Sequence, residues 1–323
     1  MALGLLLGVF VPSAQQVLNQ TKFVNVSLPI AIGLLIMMWP ILCRVSYTSL
    51  RRVFSDRRIW LHIGISMFVN WIIAPLFMLG LAWAFLPDKP ELRQGLILVG
   101  LARCIAMVLI WTDIAGGDPD YCAVLVAINS ILQLVLFAPL GILFIRVFDP
   151  SNASDVNISY SVVAQSVFLG IPLAAAIATR VLFVVVLRQP DFFAKRFLPA
   201  IGPLSLIALL FTIIVIFAGQ GDAVVRSITN VLRVAAPLLV YFIVIFFAAL
   251  FACRRLGFGY RITAVQSFTA ASNNFELAIA VAIATYGADS QQALAATVGP
   301  LLEVPVLLAL AYLLVWYRKR RNW

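Results

Sequence analysis

VAAPLLVYFIVIFFAALFAC, residues 234–253, is an unbroken run without a single charge, and Arg254 and Arg255 close it. As an α-helix it rises about 30 Å, the thickness of a bilayer's hydrocarbon core. Working outward from it, further apolar segments fill the chain at 1–11, 28–45, 59–86, 94–114, 121–147, 160–180, 197–218, 229–252, 262–286 and 293–317. Membrane strands would instead alternate in polarity over about 10 residues, and no such alternation is present. Of the 323 residues, 63% are hydrophobic and only 11% charged, where a soluble domain carries roughly a quarter charged. The expected fold is therefore an all-α polytopic membrane protein: ten transmembrane helices joined by short loops, one domain over 1–323.

The first segment is short. About 11 residues rise only about 16 Å, half a bilayer. No charged stretch precedes it as in a signal peptide, so the expectation is a truncated first span, with Met1 inside it.

The net charge of +10 comes from short loops between apolar runs, which points to topology rather than to nucleic acid. In a ten-span arrangement one side carries Arg44, Arg51, Arg52, Arg57, Arg58, Arg188, Lys195, Arg196, Arg254, Arg255, Arg261, Arg318, Lys319, Arg320 and Arg321. The other side carries Lys22, Lys89, Arg93 and Arg226. The basic side is expected to be cytoplasmic, with both termini there. The sequons at Asn152 and Asn157 then fall outside.

The four cysteines, Cys43, Cys104, Cys122 and Cys253, show no CxxC spacing, and His62 is the single histidine. A zinc site and a disulfide framework are not expected. Neither a Ser-His-Asp set, an HExxH motif nor a GxxxxGK[ST] loop is visible, so ATP hydrolysis and enzyme chemistry are not expected, and an ion gradient would drive any transport.

The two halves echo each other. LPIAIG from Leu28 pairs with LPAIGP from Leu198, and IIAPLF from Ile72 with VAAPLL from Val234. The segment after Cys104 pairs with that after Glu276, and INSILQLV with VGPLLEVP, which sets Gln133 opposite Glu303. Composition alone produces some such matches, but four occur in the same order. Five spans per half is odd, so repeat one (about 1–150) and repeat two (about 151–323) would lie inverted, an arrangement that places a binding site at the midplane.

Ionisable groups inside spans are costly and mark function. Arg103 and Cys104 adjoin in span 4, after Gly95 and Gly100, which loosen the helix. A thiolate is a soft ligand for a metal or metalloid, and a neighbouring cation favours that form. The plainer reading of Cys104 is a small buried hydrophobe. Glu276 follows Ser272, Asn273 and Asn274, whose side chains compete for backbone hydrogen bonds and disfavour a helix interior. A mid-span break is expected there, with Glu276 a proton-carrying carboxylate or an ion-pair partner of Arg103. Glu303, between Pro300 and Pro305, is either a second proton site or a partner of Asn129. Asn70 is a candidate for a hydrogen bond between helices. Trp111, seven residues after Cys104, shares its helical face; it is either a cavity wall or a lipid-interface anchor. His62 and Arg180 lie near span ends and are read as structural.

The strings GLARCIAMVLIWTDIAGGD (100–118), FTAASNNFELAIAVAIATYGA (268–288) and VGPLLEVPVLL (298–308) resemble the arsenical-resistance-3 arsenite efflux permeases. Those permeases share a superfamily with bile-acid/sodium symporters. FVNWIIAPLFMLGLAWAFL (68–86), FLGIPLAAAIATR (168–180) and FLPAIGPLSLIALLF (197–211) extend the resemblance over nearly the whole chain. The resemblance implies two inverted five-helix repeats with spans 4 and 9 broken and crossing at the site. It implies export of arsenite, sometimes antimonite, across the cell membrane against inward proton flow, without a cofactor. The essential cysteine maps onto Cys104 and the essential acid onto Glu276. Arg103, Trp111, Asn129, Phe268, Asn274 and Glu303 match other positions the family uses. A sodium-coupled organic-anion symporter on the same fold is the rival reading, with Ser272–Asn274 and Glu276 holding sodium. A receptor or scaffold has no reason to bury Arg103, Glu276 and Glu303.

Overall fold

The computed structural model describes residues 2–10, 21–23, 26–43, 57–105, 107–149 and 166–321. Arg44, Arg51, Arg52 and the sequons at Asn152 and Asn157 lie outside the described residues. The described chain is dominated by helices: α1 Ala2–Phe10, α2 Leu28–Cys43, α3 Arg57–Phe68, α4 Ala74–Phe85, α5 Pro90–Leu101, α6 Met107–Ala115, α7 Pro119–Arg146, α8 Ile171–Val181, α9 Leu198–Arg226, α10 Ile228–Arg255, α11 Tyr260–Ala271, α12 Phe275–Tyr286 and α13 Gln291–Arg321. A two-residue antiparallel pairing, Lys22–Phe23 with Val26–Ser27, precedes α2.

Helical turns of the wider π type join α3 to α4 at Val69–Ile73, flank α8 at Ser166–Gly170 and Leu182–Val186, and lead into α9 at Phe193–Phe197. Such turns insert one residue into the helical ladder and re-aim the side chains beside it. Among the described residues, five stretches are long and apolar enough to cross a bilayer: Ile59–Phe85, Pro119–Arg146, Pro190–Gly219, Ile228–Arg255 and Gln291–Arg320.

Polarity runs opposite to that of a soluble protein. Asn70, Gln94, Arg103, Asn129, Gln133, Asn273 and Glu303 are buried, while Ile72, Val135, Ile207 and Leu232 point outward. An apolar exterior around a polar interior suits hydrocarbon as solvent, because the buried polar groups then satisfy one another. The chain is a multi-pass helical membrane protein.

Packing divides the helices into two groups. One consists of α1, α2, α8 and α9, which pack on one another. The other is built around α10 and α13, with α4, α5, α6, α7, α11 and α12 packed about them. Where the groups adjoin, Leu34, Met38 and Phe168 on one side approach Asn274 and Leu277 on the other along a seam too narrow to hold water. The second group has two distinct poles. Asn230 Nδ2 donates to Gln291 Oε1 at 3.1 Å at one end, and Arg254 donates to the Tyr317 hydroxyl at the other. At the first pole a buried ion pair fastens α5 to the end of α7. Arg93 Nε donates to Asp149 Oδ2 at 2.8 Å, Nη2 reaches Oδ1, and the guanidinium lies over the Trp83 ring.

Candidate functional site

Two helices are interrupted, and they cross at their interruptions. α5 ends at Leu101, Ala102 is extended, and α6 begins at Met107. α11 ends at Ala271, Ser272 is extended, and α12 begins at Phe275. Arg103 and Asn273 face each other there as an isolated antiparallel bridge. Asn274 N donates to Ala102 O at 2.9 Å, and Asn273 Nδ2 to Val99 O at 2.7 Å. Each break therefore supplies partners to backbone groups that the other helix leaves unpaired. Main chain freed from helical bonding inside an apolar medium requires such compensation.

A third and a fourth helix reinforce the crossing from either side. Gln133 Oε1, on α7, accepts from the Arg103 backbone amide. Glu303 Oε1, on α13, accepts from the Ser272 hydroxyl and, at 3.3 Å, from Asn273 N. The two side chains that the internal echo sets opposite each other thus hold the two facing bridge residues. Tyr241, on α10, ties the same elements: Arg103 Nη1 donates to its hydroxyl at 3.1 Å, and that hydroxyl donates to Ala270 O at 3.2 Å.

Cys104 lies in the first break and is buried. Its Sγ accepts from Val108 N at 3.3 Å. The bridge between Arg103 and Asn273 sets Cys104 across from Ser272, whose hydroxyl donates to Glu303. Glu276 is buried in the first turn of α12, where the positive end of the helix dipole favours an anion. Asn274 is the N-cap of α12, with Oδ1 accepting from Leu277 N at 3.1 Å; its Nδ2 has no partner. The two breaks thus bring a buried thiol, an unpaired amide and two buried carboxyl residues into one crossing region.

Several expected pairings take a different form. The Arg103 guanidinium turns away from Cys104 and donates to Gly100 O and Tyr241. The bridge explains this: in extended backbone, successive side chains leave on opposite faces. Arg103 accordingly forms no ion pair with Glu276. Glu303 is held by Ser272, not by Asn129, whose Oδ1 accepts from Trp71 Nε1 at 3.0 Å. Asn70 bonds within its own helix, Nδ2 to Ser66 O at 2.8 Å, rather than across helices. Trp111 is buried with Nε1 unpaired, which places it inside rather than at a lipid interface. Its spacing from Cys104 is not helical, because Cys104 precedes α6. Phe268 is fully buried against Phe246, their ring centroids 5.0 Å apart.

Tyr241 and Asn273 carry more of the geometry than the sequence reading gave them. A lone phenol in an apolar span was the available signal, since a buried Tyr hydroxyl requires a partner.

A polar crossing of two interrupted helices inside a multi-pass bundle defines a membrane transporter class. The chain belongs to the sodium bile acid symporter family, whose model matches residues 31–227, together with the Acr3 arsenical-resistance proteins. Arsenical-resistance protein Acr3 of Corynebacterium glutamicum is 46% identical over 321 residues, covering 98% of this chain and 86% of that protein. Acr3 of Alkaliphilus metalliredigens is 30% identical over 332 residues, with 99% and 89% covered. An uncharacterized transporter of Synechocystis sp. is 32% identical over 329 residues, with 95% and 83% covered.

Proposed function

We propose that this protein exports arsenite, and with it antimonite, in exchange for protons. The observation that carries the reading is the placement of Cys104: a buried thiol in the break of one helix, across from the break whose Ser272 is held by Glu303 and which leads into Glu276. A carrier for an oxyanion would want fixed cations at the same point, and the guanidinium of Arg103 is directed elsewhere. Arsenite is a neutral trihydroxy acid near neutral pH. The Cys104 sulfur replaces one of its hydroxyls, the thiol proton leaving with it as water, and addition of water reverses the step and frees the cargo. Glu276 carries the exchanged proton, with Glu303 as the second carboxyl. Asn129, Trp111, Phe268 and Asn274 form the surrounding wall, and Arg103 holds the first break in place through its amide and Tyr241. The names of the two Acr3 relatives support the cargo.

The same reading holds the chain to be ten spans in two inverted repeats, with both termini in the cytoplasm of a cell whose plasma membrane it crosses. The equivalent placement of Gln133 and Glu303 on the two bridge residues supports the repeat. The Arg254, Arg261 and Arg318 pole supports the orientation.

Arsenite accumulation in everted vesicles under an imposed pH gradient tests the function. Accumulation is expected in the wild type, with a loss of more than about tenfold in Cys104→Ser. Full export by Cys104→Ser would sink the thiol chemistry. A response to the pH gradient that survives in Glu276→Gln would sink the coupling. The family model's name favours a second reading, sodium-coupled uptake of an organic anion through Ser272–Asn274 and Glu276. Sodium-dependent uptake that is indifferent to Cys104 would select it.

A further inference from the structure

At the pole opposite Arg254 and Arg261, a vestibule of about 490 Å³ opens between α5, the end of α12 and the start of α13. Glu91 and Asp289 stand at its exposed rim, and Gln94, Thr285 and Gln292 line its depth. Gln94 is fully buried, and its Oε1 accepts from Gln292 Nε2 at 3.1 Å. Its own Nε2 is buried without a partner, and so is Thr285 Oγ1, on another of the lining residues. Buried polar atoms in native proteins are paired as a rule, so two unsatisfied atoms in one recess call for an occupant. At Gly95, next to Gln94, a Cβ would meet Gln292 O at 2.5 Å and the Ala295 side chain at 2.7 Å, so α5 and α13 touch main chain to main chain beside the cup.

The groups in the cup specify its occupant. The amide Nε2 donates, the Thr285 hydroxyl donates or accepts, and the two rim carboxylates accept. A simple anion would meet two like charges, and a bare cation would leave the amide donor unanswered. A small neutral molecule carrying several hydroxyls satisfies all of them at once. We infer that the vestibule is a binding subsite for a neutral trihydroxy acid at the face away from the basic pole. This rests on the proposed function, for which it would be the site that holds cargo outside the thiol.

Two measurements keep the inference and that function separable. The first needs no transport: boron NMR line broadening of boric acid, a neutral trihydroxy acid without thiol affinity, by the purified full-length protein. Broadening is expected with the wild type and with Cys104→Ser, and is expected to be lost with Gln94→Leu and with Asp289→Asn, an exposed position that spares folding. The second compares half-saturating arsenite in right-side-out and everted vesicles. Glu91→Gln and Asp289→Asn are expected to raise it about tenfold more at the vestibule face than at the other, the equivalent of about 1.4 kcal/mol. Equal broadening by the wild type and Gln94→Leu, or no broadening by either, would mean that the cup holds only water and overturns the inference. Boric acid binding by a protein that carries no arsenite would retain the subsite and refute the function.

Discussion

Arg103 and Asn273 face each other as a two-stranded antiparallel bridge in the interior of the bundle, each lying where its own helix is interrupted. The bridge joins the two halves of the sequence through main-chain atoms, and the Asn273 amide adds a bond to Val99 O. Asn273→Ala removes that donor and leaves Val99 O only the shared bond from Ala102 N at 3.2 Å, at a cost of about 0.5–1.5 kcal/mol. A clear fall in melting temperature in detergent is expected. An unchanged melting temperature would show that the crossing does not depend on this side chain.

Tyr241→Phe keeps the ring packing on Phe77 and Phe242 and removes one oxygen. Both Arg103 Nη1 and Ala270 O then lose their partner. The expected outcome is reduced transport with protein abundance maintained, because the hydroxyl orients the breaks rather than filling space. Wild-type transport by Tyr241→Phe would count against the tie.

The Arg93–Asp149 pair is almost wholly buried. Truncating one partner leaves an uncompensated charge, so Asp149→Ala is expected to cost about 3–5 kcal/mol. Replacing both residues, as Arg93→Met with Asp149→Leu, is expected to restore most of that loss in the same thermal assay. A double variant as unstable as the single one would contradict this reading.

Asp88 and Arg233 form a bidentate ion pair at the surface. The guanidinium holds the Asp88 carboxyl down at about 2. A carboxylate pKa lowered by folding contributes stability that is present above the ordinary carboxylate range and is lost only as pH falls toward the folded value. Between about pH 5 and pH 8 the pair is constant. Asp88→Asn should therefore leave the shape of the pH–transport profile in that window unaltered, and a displaced midpoint would assign the response to the wrong group.

The sequence made some of this legible and hid the rest for identifiable reasons. The break at Ser272–Asn274 was readable because three short polar side chains in a row compete with the helix for its own backbone. The interior position of Glu276 and Glu303 is readable from the charge-free stretches around them, and that of Cys104 from the apolar residues that flank the Arg103–Cys104 pair. The direction of Arg103 was not, because it depends on extended geometry that arises only when two segments distant in sequence meet. The pairing of Glu303 with Asn129, one of its two readings, does not form for the same reason: which side chain faces which is settled by packing. The vestibule left no motif, since Gln94 and Gln292 are near in space yet far apart along the chain.

The crossing is assembled largely from peptide groups, and this separates the scaffold from its passenger. Exchanging Cys104 or Glu276 would change side chains at the centre without withdrawing the bonds between Asn274 N and Ala102 O or Asn273 Nδ2 and Val99 O. A lineage built this way can change its cargo by small steps while the frame persists. One family can thus hold members named for sodium and bile acid and others named for arsenicals.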